Sequence, residues 1–208
     1  MRYLGIGPQD KHLFMPLRPD SETWVEQVLN REGIRSQDNL LAIHPGASCP
    51  SKIWGAERFS EVADRIAEKY GYKILIIAGP RDIGRAEDVV RHMRTAAINL
   101  AGKTSVSQLA SVLKRCQLFI SNDSGPVHIA CAVGTPVISI FGRNQQGLSP
   151  QRWGPIGIRT AILHKEVGCV DCLAHNCLRG FICLEAITVE DVLSAAETLF
   201  SSGLNRLI

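Results

Sequence analysis

Short apolar runs alternate along this chain with stretches whose apolar residues recur every three or four positions. Leu40-Leu-Ala-Ile-His44, Lys73–Ala78, Ile98-Asn-Leu100, Leu118–Ser121 and Val137–Phe141 are nearly free of polar interruption and too short for helices. Such runs read as strands buried on both faces. Arg159-Thr-Ala-Ile-Leu163 is one more strand candidate. Between them, Phe59, Val62, Ala63, Ile66, Ala67 and Tyr70 form one helical stripe that ends at Gly71. Trp24, Val25, Val28 and Leu29 share the face of an earlier helix, capped by Asp20 or Ser21 and stopped at Gly33. Arg85 to Arg94 also reads as helical.

Two further helices carry explicit start signals. Ser105 with Gln108 forms a capping box ahead of Leu109, Ala110 and Leu113. Thr188 with Asp191 forms a second, with Ile187 stapled onto Val192 and an apolar face of Leu193, Ala196, Leu199 and Phe200. Strand and helix alternate, so the predicted class is α/β: a doubly wound parallel sheet with helices on both faces and right-handed crossovers. Residues 1–19 read as irregular or a broken strand, 142–157 as a long loop, and Cys169–Cys183 shows little periodicity. The expected division is an N-terminal segment and helix at 1–39, then a Rossmann-like domain at 40–208.

Composition narrows the function. A chain of 208 residues is long enough for one substantial core. A net charge of +3 is too small to argue for nucleic acid but suits a small anionic ligand. No apolar run approaches the roughly 18 residues of a membrane helix. The start, Met1-Arg-Tyr-Leu-Gly-Ile-Gly-Pro8, lacks the long apolar segment of a signal peptide, so the expected location is cytoplasmic. Seven cysteines, an odd number, argue against a fully paired secreted framework. Cys49, Cys116 and Cys131 read as small core residues. Cys169, Cys172, Cys177 and Cys183 open with C-x-x-C, and their spacing permits zinc, but a second C-x-x-C knuckle is lacking. They are ranked as buried thiols ahead of zinc or a redox cluster, and neither metal nor cofactor is expected.

The polar turns sit after the apolar runs, at the carboxyl ends of the predicted strands, where ligands bind in open parallel sheets. Asn122-Asp-Ser-Gly-Pro126 separates a strand from a helix. Gly125 permits close approach to the backbone, and Pro126 suits a first helical turn. Free N–H groups and the helix dipole there would attract a phosphate. No G-x-G-x-x-G follows the first strand, which weakens a dehydrogenase reading.

Four motifs in order, His44-Pro-Gly-Ala-Ser48, Lys52-Ile-Trp54, Ala78-Gly-Pro-Arg-Asp82 and Asn122-Asp-Ser-Gly-Pro-Val-His128, resemble the heptosyltransferases of glycosyltransferase family nine. The resemblance runs from about Leu40 to Leu199, and weakly back to Arg2. It implies the Rossmann-like carboxyl-terminal half of a GT-B fold and transfer of a sugar, with inversion by direct displacement, from ADP-heptose to the lipopolysaccharide inner core. The family's amino-terminal domain, which meets the acceptor and holds the proposed base, has no counterpart here, so donor binding without chemistry of its own is the alternative. Association with the inner membrane face would follow from the acceptor.

The resemblance assigns Lys52 to the donor diphosphate, where a fixed cation stabilises the charge that grows on the leaving group. Ser48 adds a hydroxyl donor, and the turn Asp123-Ser124-Gly125-Pro126 holds the donor. Asp123, being anionic, faces sugar hydroxyls or orients its loop rather than meeting phosphate. Helix capping by Asp123 or Ser124 is the competing reading. His128 is either a phosphate partner or a core histidine. Asp82 stands where the family often has a ribose-binding glutamate, and a helix N-cap is an equal alternative. Trp54 reads as packing.

Overall fold

The computed structural model describes residues 12–157 and 159–204. Residues 1–11, over which the broken-strand expectation partly runs, lie outside the described residues, and 12–18 form no regular element. Among the described residues there are six strands: β1 Leu40–His44, β2 Lys73–Ile76, β3 Ala97–Asn99, β4 Leu118–Asn122, β5 Val137–Ile140 and β6 Thr160–Leu163. They form one sheet in the order β3-β2-β1-β4-β5-β6, and every pairing is parallel. Ile43 lies between Ile76 of β2 and Ile120 of β4. The order reverses between β1 and β4, the switch point where a crevice opens in doubly wound sheets.

Among the described residues the α-helices are α1 Pro19–Arg31, α2 Ala56–Tyr70, α3 Ile83–His92, α4 Val106–Arg115, α5 Gly125–Ala132, α6 Pro150–Trp153, α7 Ile182–Glu185 and α8 Val189–Leu204. Successive strand side chains point to opposite faces. Leu41, Ile43, Ile74, Ile76, Leu118, Ile120, Ile138 and Ile140 therefore meet α2, α3 and α8 in one apolar cluster. Leu40, Ala42, Leu75, Ile77, Phe119 and Val137 meet α1, α4 and α5 in the other. The helix predicted in the N-terminal segment thus packs through Val25 and Leu29 into the same core as α4.

The local signals hold with two shifts. The capping boxes at Ser105/Gln108 and Thr188/Asp191 both form, and Gly71 ends α2 in the left-handed conformation. Neither Asp20 nor Ser21 caps α1: Pro19, whose ring presets the helical φ, starts it after Arg18, two residues earlier than a cap at Asp20 would. Asp20 turns instead to Arg18. Helix α3 begins at Ile83 and stops at His92, short of the expected Arg94, because Asp64 captures the next N–H groups. Among the described residues no helix is long and apolar enough to cross a membrane.

Among the described residues Asp64 is the fully buried carboxylate of the helix layer. It accepts from Arg94 N at 2.9 Å, Thr95 N at 2.9 Å and Thr95 Oγ1 at 2.7 Å, tying α2 to the start of β3. Burial pushes its pKa up, but these donors outweigh burial and hold it below the usual carboxylate range. Asp64→Ala leaves three donors unsatisfied and is expected to destabilise the protein by roughly 2–3 kcal/mol, read as a lowered urea midpoint at unchanged slope.

Candidate functional site

A cavity of about 640 Å³ opens at the carboxyl ends of β1, β2 and β4. Ser48, Lys52, Asp82, Asp123, Ser124, Gly125 and Pro126 line it, together with His44, Arg81, Arg85 and Thr104. His128 is the one predicted site residue that does not; it stands half-buried a turn into α5.

The loop that carries Ser48 and Lys52 is fixed by Asn122 at the end of β4. Its amide donates to Pro45 O at 2.8 Å and accepts from Trp54 N at 3.1 Å. Trp54 is a packing residue: it is buried, lies edge-on to Phe59 and donates from Nε1 to Ile187 O at 2.9 Å. Between these anchors Pro50–Lys52 forms a 3-10 turn that presents Lys52 to the cavity.

Lys52 is not the solvated loop lysine its position suggests. Its side chain is 14% exposed, and its Nζ lies 3.0 Å from Asp123 Oδ2. The same oxygen accepts a hydrogen bond from Arg143 NH2 at 2.9 Å. Asp123 thus caps no helix; it is a buried counterion between two cations. Ser124 is the N-cap residue of α5 but makes no side-chain cap bond. Its hydroxyl instead meets Ser121 Oγ at 3.0 Å and His44 Nδ1 at 3.2 Å. Asp82 precedes α3 without capping it and contacts Arg85 Nε at 3.1 Å. A Cβ at residue 46 would fall 2.8 Å from Asp82 Oδ2, so only glycine there lets the carboxylate lie against the β1 loop. The space over Gly125 is open. Pro126 has no N–H and Val127 N is bonded to Ser124 O, so the N–H groups of Ser124 and Gly125 are those ahead of any helical acceptor.

Arg143 escaped sequence reading. It sits in an irregular loop just after β5, with no motif around it, yet its side chain is only 5% exposed. The available hint was its place beyond a strand's carboxyl end, the side where sites form.

The cysteine expectations need correction. Cys116 and Cys131 are buried, and burial pushes their thiols up to about 12 and about 11. Cys49 is only half-buried, in the loop beside Ser51. Cys169 is exposed, and Cys172, Cys177 and Cys183 are half-buried, because their segment packs against the loops that follow β1 and β5 and not within either core cluster. All four border a separate cavity of about 220 Å³. Among the described residues no group of three histidine, cysteine or carboxylate side chains is placed to hold a metal.

A doubly wound sheet with a cationic cavity at its switch point is the architecture of nucleotide-binding α/β domains. Comparison with known proteins specifies it further. Residues 18–182 match the family described as "Glycosyltransferase family 9 (heptosyltransferase)", and the chain belongs to that family. It is 31% identical over 199 residues to lipopolysaccharide heptosyltransferase 3 of Escherichia coli K12, covering 93% of this chain and 56% of that protein. It resembles the crystal structure of a family 9 glycosyl transferase from Veillonella parvula, with TM-score 0.82, 27% identity and coverage of 97% of this chain and 57% of that one. It shares its fold with E. coli heptosyltransferase WaaC, solved with ADP, at TM-score 0.62 and 20% identity over 79% of this chain and 45% of that one. The chain thus spans about half the length of the relatives it matches.

His44 gives a pH prediction. Burial, opposed by the nearby Asp82 charge, lowers its pKa from 6.5 to about 4. Between those values the unfolded chain takes up a proton that the folded chain refuses. Stability is therefore full above pH 6.5 and falls as pH drops from 6.5 toward 4. His44→Gln is expected to flatten that slope in denaturant midpoints measured against pH. An imidazole resonance of His44 titrating near 6.5 would contradict the assignment.

Proposed function

We propose that this chain is the donor-binding part of a heptosyltransferase, taking a nucleotide-diphosphate sugar, ADP-heptose, as donor for the lipopolysaccharide inner core. The observation that carries the reading is the pairing of Lys52 with the start of α5 across one cavity at the switch point. A cation and backbone N–H groups converge there on a space large enough for a nucleotide. WaaC, which shares the fold, was solved with ADP.

In this reading the diphosphate lies between Lys52 and the N–H groups of Ser124 and Gly125, with Ser48 adding a hydroxyl. Asp82 faces the ribose from its seat against Gly46. As the bond from sugar to diphosphate breaks, negative charge grows on the departing oxygens, and Lys52 stabilises it more in the transition state than before. Asp123 orients Lys52. His128 acts as a packing residue of α5, since it stands off the cavity.

Displacement also needs a base within about 3 Å of the acceptor hydroxyl. The carboxylates lining the cavity are engaged, Asp123 by Lys52 and Arg143, Asp82 by Arg85, and His44 is buried. We therefore assign the acceptor and its base to a second domain, and residues 40–208 to the donor side, with α1 packed onto it.

Two experiments test this. Lys52→Ala is expected to weaken ADP binding on the order of tenfold or more, the typical size of a charge-assisted phosphate contact. Its fold should survive, because Arg143 still neutralises Asp123. Calorimetry showing unchanged affinity would remove Lys52 from the site. In the second experiment the chain is incubated with ADP-heptose and a lipid A–Kdo acceptor, with and without a separately expressed amino-terminal domain. Turnover is expected only with both. Enzyme-like turnover by this chain alone would overturn the division of labour, because half a cleft cannot supply the positioning on which such rates depend.

A further inference from the structure

Arg143 does not line the donor cavity, yet it governs the charge of the residue that does. Two cations, Lys52 and Arg143, share one carboxylate, so the cluster carries one uncompensated positive charge. Both approach the same oxygen, Asp123 Oδ2: Arg143 through a hydrogen bond at 2.9 Å, Lys52 as an ion pair at 3.0 Å. The guanidinium is the deeper of the two, 5% exposed against 14%. It is also braced from behind. His175 Nε2 lies 3.5 Å from Arg143 NH1, and His175 Nδ1 lies 3.0 Å from Ser51 Oγ, next to Lys52 in the same 3-10 turn. Arg143, Asp123, Lys52, Ser51 and His175 close into one ring of contacts.

We propose that Arg143 is a positioning residue that frees Lys52 for an anionic ligand by holding the charge of Asp123. This rests on the donor-cavity reading above. Without Arg143, a buried carboxylate would have Lys52 as its one close counterion, and in a poorly solvated setting that attraction is strong. Lys52 would then be neutralised where it stands, and an arriving diphosphate would have to break the pair. With Arg143 in place, Lys52 can turn its ammonium to the ligand while Asp123 stays paired. The contact that a ligand makes with Lys52 is thus set by a side chain the ligand never touches.

The test is a double-mutant cycle on ADP affinity, with ADP chosen because it carries the diphosphate without the transferred sugar. Arg143→Met is expected to weaken ADP binding about tenfold, the size of effect one uncompensated charge produces in a partly buried site. Arg143→Lys should recover most of the loss. The decisive variant is Asp123→Asn combined with Arg143→Met, which should bind ADP better than Arg143→Met alone, because no carboxylate remains to hold Lys52. A merely structural role for Arg143 would make the double variant no better than the single one, and that result overturns the proposal. Should Arg143→Met fail to fold, the comparison moves to Asp123→Asn with and without Arg143→Met. There no carboxylate remains to be held, so the arginine is expected to contribute no more than its bare charge, and a loss well beyond about tenfold would show that it acts other than through Asp123. Wild type failing to bind ADP would overturn the donor reading itself. Wild type binding, Lys52→Ala weakening it and Arg143→Met leaving it unchanged would overturn this inference alone.

Discussion

The whole site hangs on the side chain of Asn122. It is fully buried at the switch point, where the strand order reverses between β1 and β4. Its one amide group satisfies the first carbonyl of the β1 loop, at Pro45, and the N–H of Trp54 near its far end. Each is a buried polar group whose loss of partner costs on the order of 1–3 kcal/mol. The loop between them therefore has its ends fixed to a strand it does not belong to. Trp54 extends the constraint, filling the core beside Phe59 and reaching Ile187, the residue that leads into α8. Arg58 binds the carbonyls of Leu184, Glu185 and Ile187 from the same side. One asparagine thus sets the position of Lys52 and, through Trp54, the docking of the last helix.

How much of this was legible in the sequence follows from the range over which each feature acts. Strands such as Leu40–His44 are buried on both faces and declare themselves as apolar runs. The box at Ser105 and Gln108 spans three residues, so it can be read from three residues. Asn122 was visible as a member of a motif, but its role was not, because its partners lie 77 and 68 positions away. The same holds for Asp123, which reads locally as a cap and is claimed by cations from two distant loops. Arg143 had no local signature at all. The cysteines misled for a related reason: the residue type predicts burial, but the segment 169–183 forms no strand, only short helical turns, and none of its four cysteines joins either core cluster.

For the anionic ligand proposed above, the two carboxylates on the cavity wall have a physical use. Asp82 and Asp123 each sit against a cation, Arg85 and the Lys52–Arg143 pair. A long, rotamer-rich cation left free at a cavity mouth loses entropy when a ligand orders it. A carboxylate that holds it beforehand lowers that cost, provided the hold is weak enough to release. At Lys52 the second cation supplies that weakness; at Asp82 greater exposure to solvent does.

His44 completes this balance by staying out of it. It is buried beside the cavity, where its Nδ1 meets the hydroxyls of Ser121 in β4 and Ser124 at the start of α5. Burial keeps it neutral down to about pH 4. A protonated imidazole there would add a second centre of attraction on the β4 side and pull an anion away from Lys52. Kept neutral, it leaves the cationic side chains of the wall to be lysine and arginine, and the sign and position of the attraction are then the same across the neutral pH range.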